Sequence, residues 1–334
     1  MNNSVDVREF SSIVQEFASY KLSIQGCSPK TVQEYLLDLR TFFRYLLARE
    51  RDIDFDSDAF YELDVSSVGL ERLGKLHTED FYDFLFFLNQ QRGNQWSARS
   101  RKLSAIRALY KYLANKRHYL EHNPTVDIDT PKSKKTLPKV LSLDEAVSLL
   151  EAVENDKDSP FRTRDYAILT LFLNCGMRVS ELAGINLTDV DSGLQSMRVT
   201  GKGSKERVIY LNDACRTALS EYLLERKSNK YSTVQERALF LSRLNQRISV
   251  KTVQAMVYKY LKLAGLDGKH YSVHKLRHTA ATLMYQSGNV DVRVLKDILG
   301  HEQLNTTQIY THVSNAEMEK AMTQNPLAGK RKKK

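Results

Sequence analysis

Between Thr130 and Lys139 the chain reads Thr130-Pro131-Lys132-Ser-Lys134-Lys135-Thr-Leu-Pro138-Lys139, with two prolines, four lysines and no acid. Proline removes backbone donors and clustered like charges repel, so this stretch cannot be the interior of a helix or a central strand. Asn123-Pro124 breaks regular structure just before it. A chain of 334 residues is thereby divided into two pieces, each long enough to build its own core. The expected organisation is an N-terminal domain over residues 1–129, a basic linker over 130–139 and a second domain over 140–334.

The formal net charge is +10, and it is unevenly distributed. Residues 50–83 hold 11 acids and 3 bases, whereas residues 92–117 hold 8 bases and no acids. A basic block on a helix is what contact with a phosphate backbone needs, although a solvated basic face has the same composition. Arg99, Arg101, Lys102 and Arg107 are the expected DNA contacts on that helix, with Lys134 and Lys135 following phosphates from the linker. No apolar run is long enough to span a bilayer, and Met1 to Arg8 lacks the pattern of a signal peptide, so a cytoplasmic setting is expected. Three widely spaced cysteines, Cys27, Cys175 and Cys215, provide neither a disulfide framework nor a cysteine-based zinc site. Cys175, at the end of an apolar run, reads as a small buried hydrophobe.

Helical periodicity organises the first domain. Apolar residues recur at helical spacing over 8–25 until Gly26, and Ser28-Pro29 then caps and opens an amphipathic helix through Leu36, Leu39, Phe42, Phe43 and Leu46. Thr78 is expected to cap a third helix and Ser97 to open a fourth, the basic one. Residues 51–74 are acidic and weakly periodic, and read as an elaborated loop with one short helix and no assigned role.

In the second domain, Ser142-Leu-Asp-Glu145 has the form of a capping box. The run Arg164 to Cys175 is apolar enough for a helix buried on most sides, and Gly176 stops it. Met177-Arg178-Val-Ser-Glu181 follows directly. A charged pair emerging from a buried helix makes sense if Arg178 faces a cleft and Glu181, one turn on, holds it; a surface ion pair is the bland alternative. Two β-prone runs, 195–200 and 207–211, flank Gly201-Lys202-Gly203-Ser204-Lys205 and predict a hairpin with lysines in its turn. That turn lacks the spacing of a P-loop. Further helices are expected over 213–227, 249–264, 272–287, 291–299 and, from the capping box Ser314-Asn-Ala-Glu317, to about Met322. The tail Lys330 to Lys334 reads as disordered.

The segment from His274 to Tyr310 carries the chemistry. His274 and Arg277 stand about one helical turn apart, so an imidazole and a guanidinium share a face. Leu299-Gly300-His301 follows, and Tyr310 comes nine residues after His301. An imidazole, a bidentate cation and a phenol suit a phosphodiester. A zinc hydrolase would place Glu after the first His of the His274/His278 pair, and Lys275 stands there instead. His278 and His312 then read as structural or DNA-facing.

With Arg178 and the hairpin lysine upstream, this pattern resembles the tyrosine recombinase (phage integrase) family, especially its bacterial Xer branch, over roughly residues 10–323 with 51–74 as the main departure. The resemblance implies a mainly α fold with a small antiparallel β-sheet, in a two-domain C-shaped DNA clamp: a helical-bundle core-binding domain and a catalytic domain. It implies six site residues, Arg178, Lys202, His274, Arg277, His301 and Tyr310; Lys205 is the rival to Lys202 on the hairpin and is expected to contact the backbone instead. Their chemistry is coherent. Two arginines, with His301 as an additional donor, hold the charge that gathers on a phosphodiester under attack. Tyrosine, with a pKa near 10, is only about one part in a thousand ionised at neutral pH, so His274 serves as general base or acid. Lys202 is the candidate proton donor to the leaving 5′-oxygen. A 3′-phosphotyrosyl link conserves the bond energy, so neither ATP nor a metal or other cofactor is called for. The implied partners are double-stranded DNA with a specific recombination site and further protomers, as a homotetramer on two sites or a heterotetramer with a second recombinase, working through a Holliday junction; no membrane is involved. A type IB topoisomerase-like DNA relaxation and a non-catalytic DNA-binding accessory role remain as alternatives.

Overall fold

The structure, a computed structural model, describes residues 5–131, 139–201, 203, 205–228, 237–287 and 290–300. The chain divides into two compact units, Met1–Lys135 and Thr136–Lys334.

In the first unit the apolar spacing becomes a helical bundle. The helix expected over 8–25 is split: Asp6 and Glu9 cap each other's backbone around a 3-10 turn, Val7–Glu9, and α1 then runs Ser12–Ser23. The second helix, α2 (Pro29–Glu50), starts where Ser28 Oγ accepts the Thr31 N–H at 3.1 Å, with Pro29 in the first turn where its missing donor costs nothing. Leu36, Leu39, Phe42 and Phe43 are buried from it.

Residues 51–74 correct the sequence expectation. They form two short helices, α3 (Asp58–Glu62) and α4 (Leu70–Gly74), around a 3-10 turn, and they bury Phe60, Leu63, Val65, Val68 and Leu73 in the bundle core. Their apolar residues follow neither a 3.6 nor a 2 period because each brief turn presents its own residue inward. The segment contributes those five side chains to the core and is held partly by the buried Tyr110 hydroxyl, which donates to Leu73 O at 2.8 Å.

α5 (Thr78–Gln90) begins after His77, not Thr78. The His77 N–H donates to Asp80 at 2.9 Å, while the Thr78 hydroxyl donates to Pro124 O. Phe81 and Phe84 of α5 pack on Phe42, with ring centroids 5.6 and 5.0 Å away. α6 (Trp96–Asn115) starts one residue before the expected Ser97, with Gln95 at the N-cap position making no side-chain cap, and buries Leu103, Ile106, Leu109, Tyr110 and Leu113.

The second unit is built around a buried helix. α7 (Leu143–Glu154) has the anticipated capping box: Ser142 Oγ accepts from Glu145 N, and the Glu145 carboxylate accepts from Ser142 N. α8 (Arg162–Cys175) buries every residue from Ala167 to Leu173 and packs against α7 and two later helices. After it come α9 (Val179–Gly184) and the antiparallel pair β1 (Ser196–Thr200) and β2 (Glu206–Tyr210), in register Val199↔Arg207 and Met197↔Ile209. The remaining helices are α10 (Asp213–Ser228), α11 (Val250–Leu263), α12 (Val273–Gln286) and α13 (Val292–Leu299). α10 and α12 are the two later partners of α8. Cys175 and Cys215 are buried with their sulfurs 3.8 Å apart. Among the described residues the fold is helical with one two-stranded sheet, and no helix is long and apolar enough to cross a membrane.

Candidate active site

Arg178 lies where α8 ends and α9 begins. It is the N-cap of α9, and Glu181 at the third helical position accepts both its backbone N–H (2.8 Å to Oε2) and its guanidinium (Nη1 to Oε1, 2.7 Å). The Glu181 side chain is only 1% exposed, whereas that of Arg178 is 36% exposed. One buried acid thus holds a cation that still reaches the surface.

Two more arginines converge on that carboxylate. From β2, Arg207 forks onto both oxygens at 2.9 Å each, and from α12 Arg277, itself 2% exposed, lies 3.9 Å away. Burial alone would raise the Glu181 carboxyl, but the Arg207 fork and the Arg178 backbone and side-chain donors outweigh it and hold the pKa down at about 2. The acid is therefore ionised throughout the physiological range, and the cluster is net cationic.

The same three arginines cap one helix end. The last carbonyls of a helix have no partners of their own and carry partial negative charge. At the end of α13, Ile298 O accepts from Arg207 Nε (2.9 Å), Leu299 O from Arg277 Nη2 (2.6 Å) and Gly300 O from Arg178 Nη2 (3.2 Å). Arg277 Nη1 also donates to Gly176 O at 2.8 Å. The two glycines allow this closeness. Both have left-handed φ, +59° and +63°, and a Cβ on Gly176 would lie 2.8 Å from Leu299 Cδ2 while one on Gly300 would lie 3.0 Å from Arg207 Nη1. Helix stops that read as simple punctuation are also contact points.

His274, in the first turn of α12, is exposed, one turn from Arg277. Partial desolvation, followed by the positive charges of Arg277, Arg178 and Lys275, pushes its pKa below the ordinary imidazole value. It is neutral at pH 7 and able to accept a proton. The His278 ring stacks edge-on against it, with centroids 4.6 Å apart. Burial first, and then His274, Arg277 and Lys275, push His278 from 6.5 to about 4. The unfolded chain takes up this proton near pH 6.5 and the folded chain only near pH 4, so folding stability falls as pH drops through that window. His278→Gln should therefore flatten the loss of melting temperature between pH 6.5 and 4 in circular-dichroism melts. Parallel pH slopes for the two proteins would rule His278 out as the titrating group.

Of the residues singled out in the sequence, Arg178, Arg277 and His274 are brought together. Lys202, His301 and Tyr310, with His312, Lys134 and Lys135, lie outside the described residues. Lys205 is exposed at the hairpin, where its carbonyl accepts from Gly201 N at 2.7 Å. On α6 the cations have internal partners. Arg101 and Lys102 pair with Asp38 at 2.7 and 3.0 Å, and Arg107 donates to the carbonyls of Thr125 and Ile128 and to Thr130 Oγ1. Arg99 is half-buried, its Nε without a hydrogen-bond partner among the described residues. Arg207 escaped the sequence reading. Its signal was position: on β2 it shares the inward face with Ile209, and a charged residue in an inward register requires a partner.

Residues 139–317 match the phage integrase family. Over 324 residues the chain is 45% identical to tyrosine recombinase XerC of Caldanaerobacter subterraneus subsp. tengcongensis, covering 97% of this chain and 89% of that one. It is 40% identical over 232 residues to tyrosine recombinase XerC of Thermodesulfovibrio yellowstonii, covering 68% of this chain and 75% of the relative. Among solved structures, the XerH site-specific recombinase bound to its palindromic difH substrate in a post-cleavage complex shares the fold, with a TM-score of 0.68 at 21% identity over 93% of this chain and 94% of that one. These matches favour neither the topoisomerase-like nor the accessory-factor alternative. A family match over more than half of the chain, and a relative 45% identical along nearly all of it, establish that the chain belongs to the phage integrase family as a Xer-type site-specific tyrosine recombinase.

Proposed function

We propose that this recombinase cuts and rejoins DNA at a specific site through Tyr310. The observation that carries the reading is the cluster in which Arg178 and Arg277 meet one buried carboxylate with a neutral His274 on the adjoining turn. In the proposed step the Tyr310 oxygen attacks the scissile phosphorus, a phosphotyrosyl bond forms and the bond to the 5′-oxygen breaks. His274 receives the phenolic proton and Lys202 protonates the departing 5′-oxygen. Arg178 and Arg277, with His301, bind the non-bridging oxygens, where charge accumulates. A 5′-hydroxyl from a second duplex reverses the chemistry on the 3′-phosphotyrosyl link, and two rounds pass through a Holliday junction.

The working assembly is four protomers on two DNA sites, either identical or paired with a second recombinase, in the cytoplasm where chromosomal DNA is the substrate. The organisation is an N-terminal DNA-binding domain over residues 1–129, a basic linker over 130–139 and a catalytic domain over 140–334. Arg99, Arg101, Lys102, Arg107, Lys134, Lys135 and Lys205 supply phosphate contacts. On α6, Asp38 and the 125–130 segment would hold three of those cations in fixed positions. Chromosome dimer resolution and integration or excision of a mobile element use the same chemistry.

The test is a duplex nicked beside the scissile phosphate, so that cleavage cannot reverse, incubated with wild type and Tyr310→Phe. The expected result is a covalent protein–DNA band, joined at a 3′-phosphate, in the wild type only. Tyr310→Phe still forming that band would show that another residue is the nucleophile.

A further inference from the structure

Arg178 has two acceptors in this site, the Glu181 carboxylate and Gly300 O, and Arg207 touches both residues that supply them. Its fork, with Nη1 on Oε1 and Nη2 on Oε2 at 2.9 Å each, fixes the plane of the carboxylate. The direction of that plane sets where Arg178 is held. On its other edge, Arg207 Nε donates to Ile298 O, and the side chain lies along Gly300, where a Cβ would come within 3.0 Å of Nη1. The Arg207 side chain is 14% exposed against 36% for Arg178, so the inner arginine braces and the outer one can meet a ligand. Arg207 also belongs to the hairpin, whose Gly201 lies close enough to Glu181 that a Cβ would approach Oε1 at 3.3 Å.

We propose that Arg207 is a positioning residue, acting through Glu181 and the end of α13 to hold the Arg178 guanidinium in place for the scissile phosphate. This rests on the reading of Arg178 as a phosphate ligand given above. A lysine in place of Arg207 keeps the charge but cannot fork onto both oxygens and also reach Ile298 O.

The experiment measures single-turnover cleavage of the nicked duplex at saturating DNA with the full chain. The variants are Arg207→Gln, Arg207→Lys, Arg178→Lys and the double variant Arg178→Lys/Arg207→Gln. Arg207→Gln should bind the duplex nearly as the wild type does but cleave about tenfold more slowly or worse, the scale of coupling between neighbours in one hydrogen-bond network. The double variant should be no slower than Arg178→Lys, because Arg207 acts through the residue already changed. On a methylphosphonate linkage, where a methyl group replaces one charged oxygen, the deficit of Arg207→Gln should shrink, since less charge then needs Arg178.

Losses that multiply in the double variant, an equal deficit on both linkages, or Arg207→Gln at the wild-type rate would each overturn the proposal. If Arg207→Gln folds poorly, Arg207→Lys takes its place on both linkages, and a wild-type rate there overturns it as well. If Arg178→Lys has no measurable rate, the comparison of linkages decides. A wild type that forms no Tyr310-dependent band overturns the catalytic reading and the proposal together. A wild-type band with multiplying losses overturns only the role of Arg207.

Discussion

Arg277→Ala is expected to slow Tyr310-dependent cleavage by at least about a hundredfold, because removing one preorganised donor from a developing oxyanion raises the barrier by about 2.7–4 kcal/mol. The same change reaches into the fold. Arg277 is 2% exposed, and its guanidinium serves the carbonyls of Gly176 and Leu299. Each buried carbonyl left without a donor costs about 1–3 kcal/mol, so the melting temperature should fall too. The two effects separate if cleavage is followed well below the variant's own midpoint. There the chain is folded and any residual deficit belongs to chemistry. Cleavage by Arg277→Ala within a few-fold of the wild type under those conditions would show that the guanidinium does not act on the phosphate.

Glu181→Ala should have a comparable effect through the opposite charge. It takes from Arg178, Arg207 and Arg277 the carboxylate they share and removes the acceptor of the Arg178 N–H. Breaking a buried ion pair from one side typically costs about 3–5 kcal/mol. The pH dependence gives an independent scale. Glu181 titrates at about 2 when folded against an ordinary 4.5, so its contribution is fully present above pH 4.5 and is lost as pH falls towards 2. That difference corresponds to about 3 kcal/mol, in line with the mutational figure. Melts of Glu181→Gln, which keeps the shape and drops the charge, should show a shallower loss of stability over the same acid range than the wild type. An identical acid limb would mean that the arginine cluster is held by its carbonyl partners rather than by the acid.

The sequence was most legible where function rests on local periodicity or capping. Ser28-Pro29 and the Ser142/Glu145 box opened helices as their chemistry requires, and the lysine-bearing hairpin was readable from two β-prone runs around a glycine-rich turn. It was least legible where a residue's meaning depends on a distant partner. Residues 51–74 read as loop because Phe60, Leu63, Val65, Val68 and Leu73 reach the core from separate short turns. The α6 cations read as one exposed block, yet Lys102 and Arg107 have partners on α2 and in the 125–130 segment. Local spacing carries no information about either.

By itself the sequence determined the chemistry available to this chain: arginines at 178 and 277, an imidazole one turn before the second, and a tyrosine nine residues after His301. Helical geometry alone put His274 and Arg277 on one face. Only the tertiary structure decided that Glu181 gathers arginines from α9, β2 and α12, and that the same three side chains close the end of α13. The physical reason is that a helix end leaves carbonyls to be satisfied but does not specify by which donors. That choice is made when α8, β2, α12 and α13 pack together, with left-handed backbone and close side-chain approach at Gly176 and Gly300 that favour glycine at both.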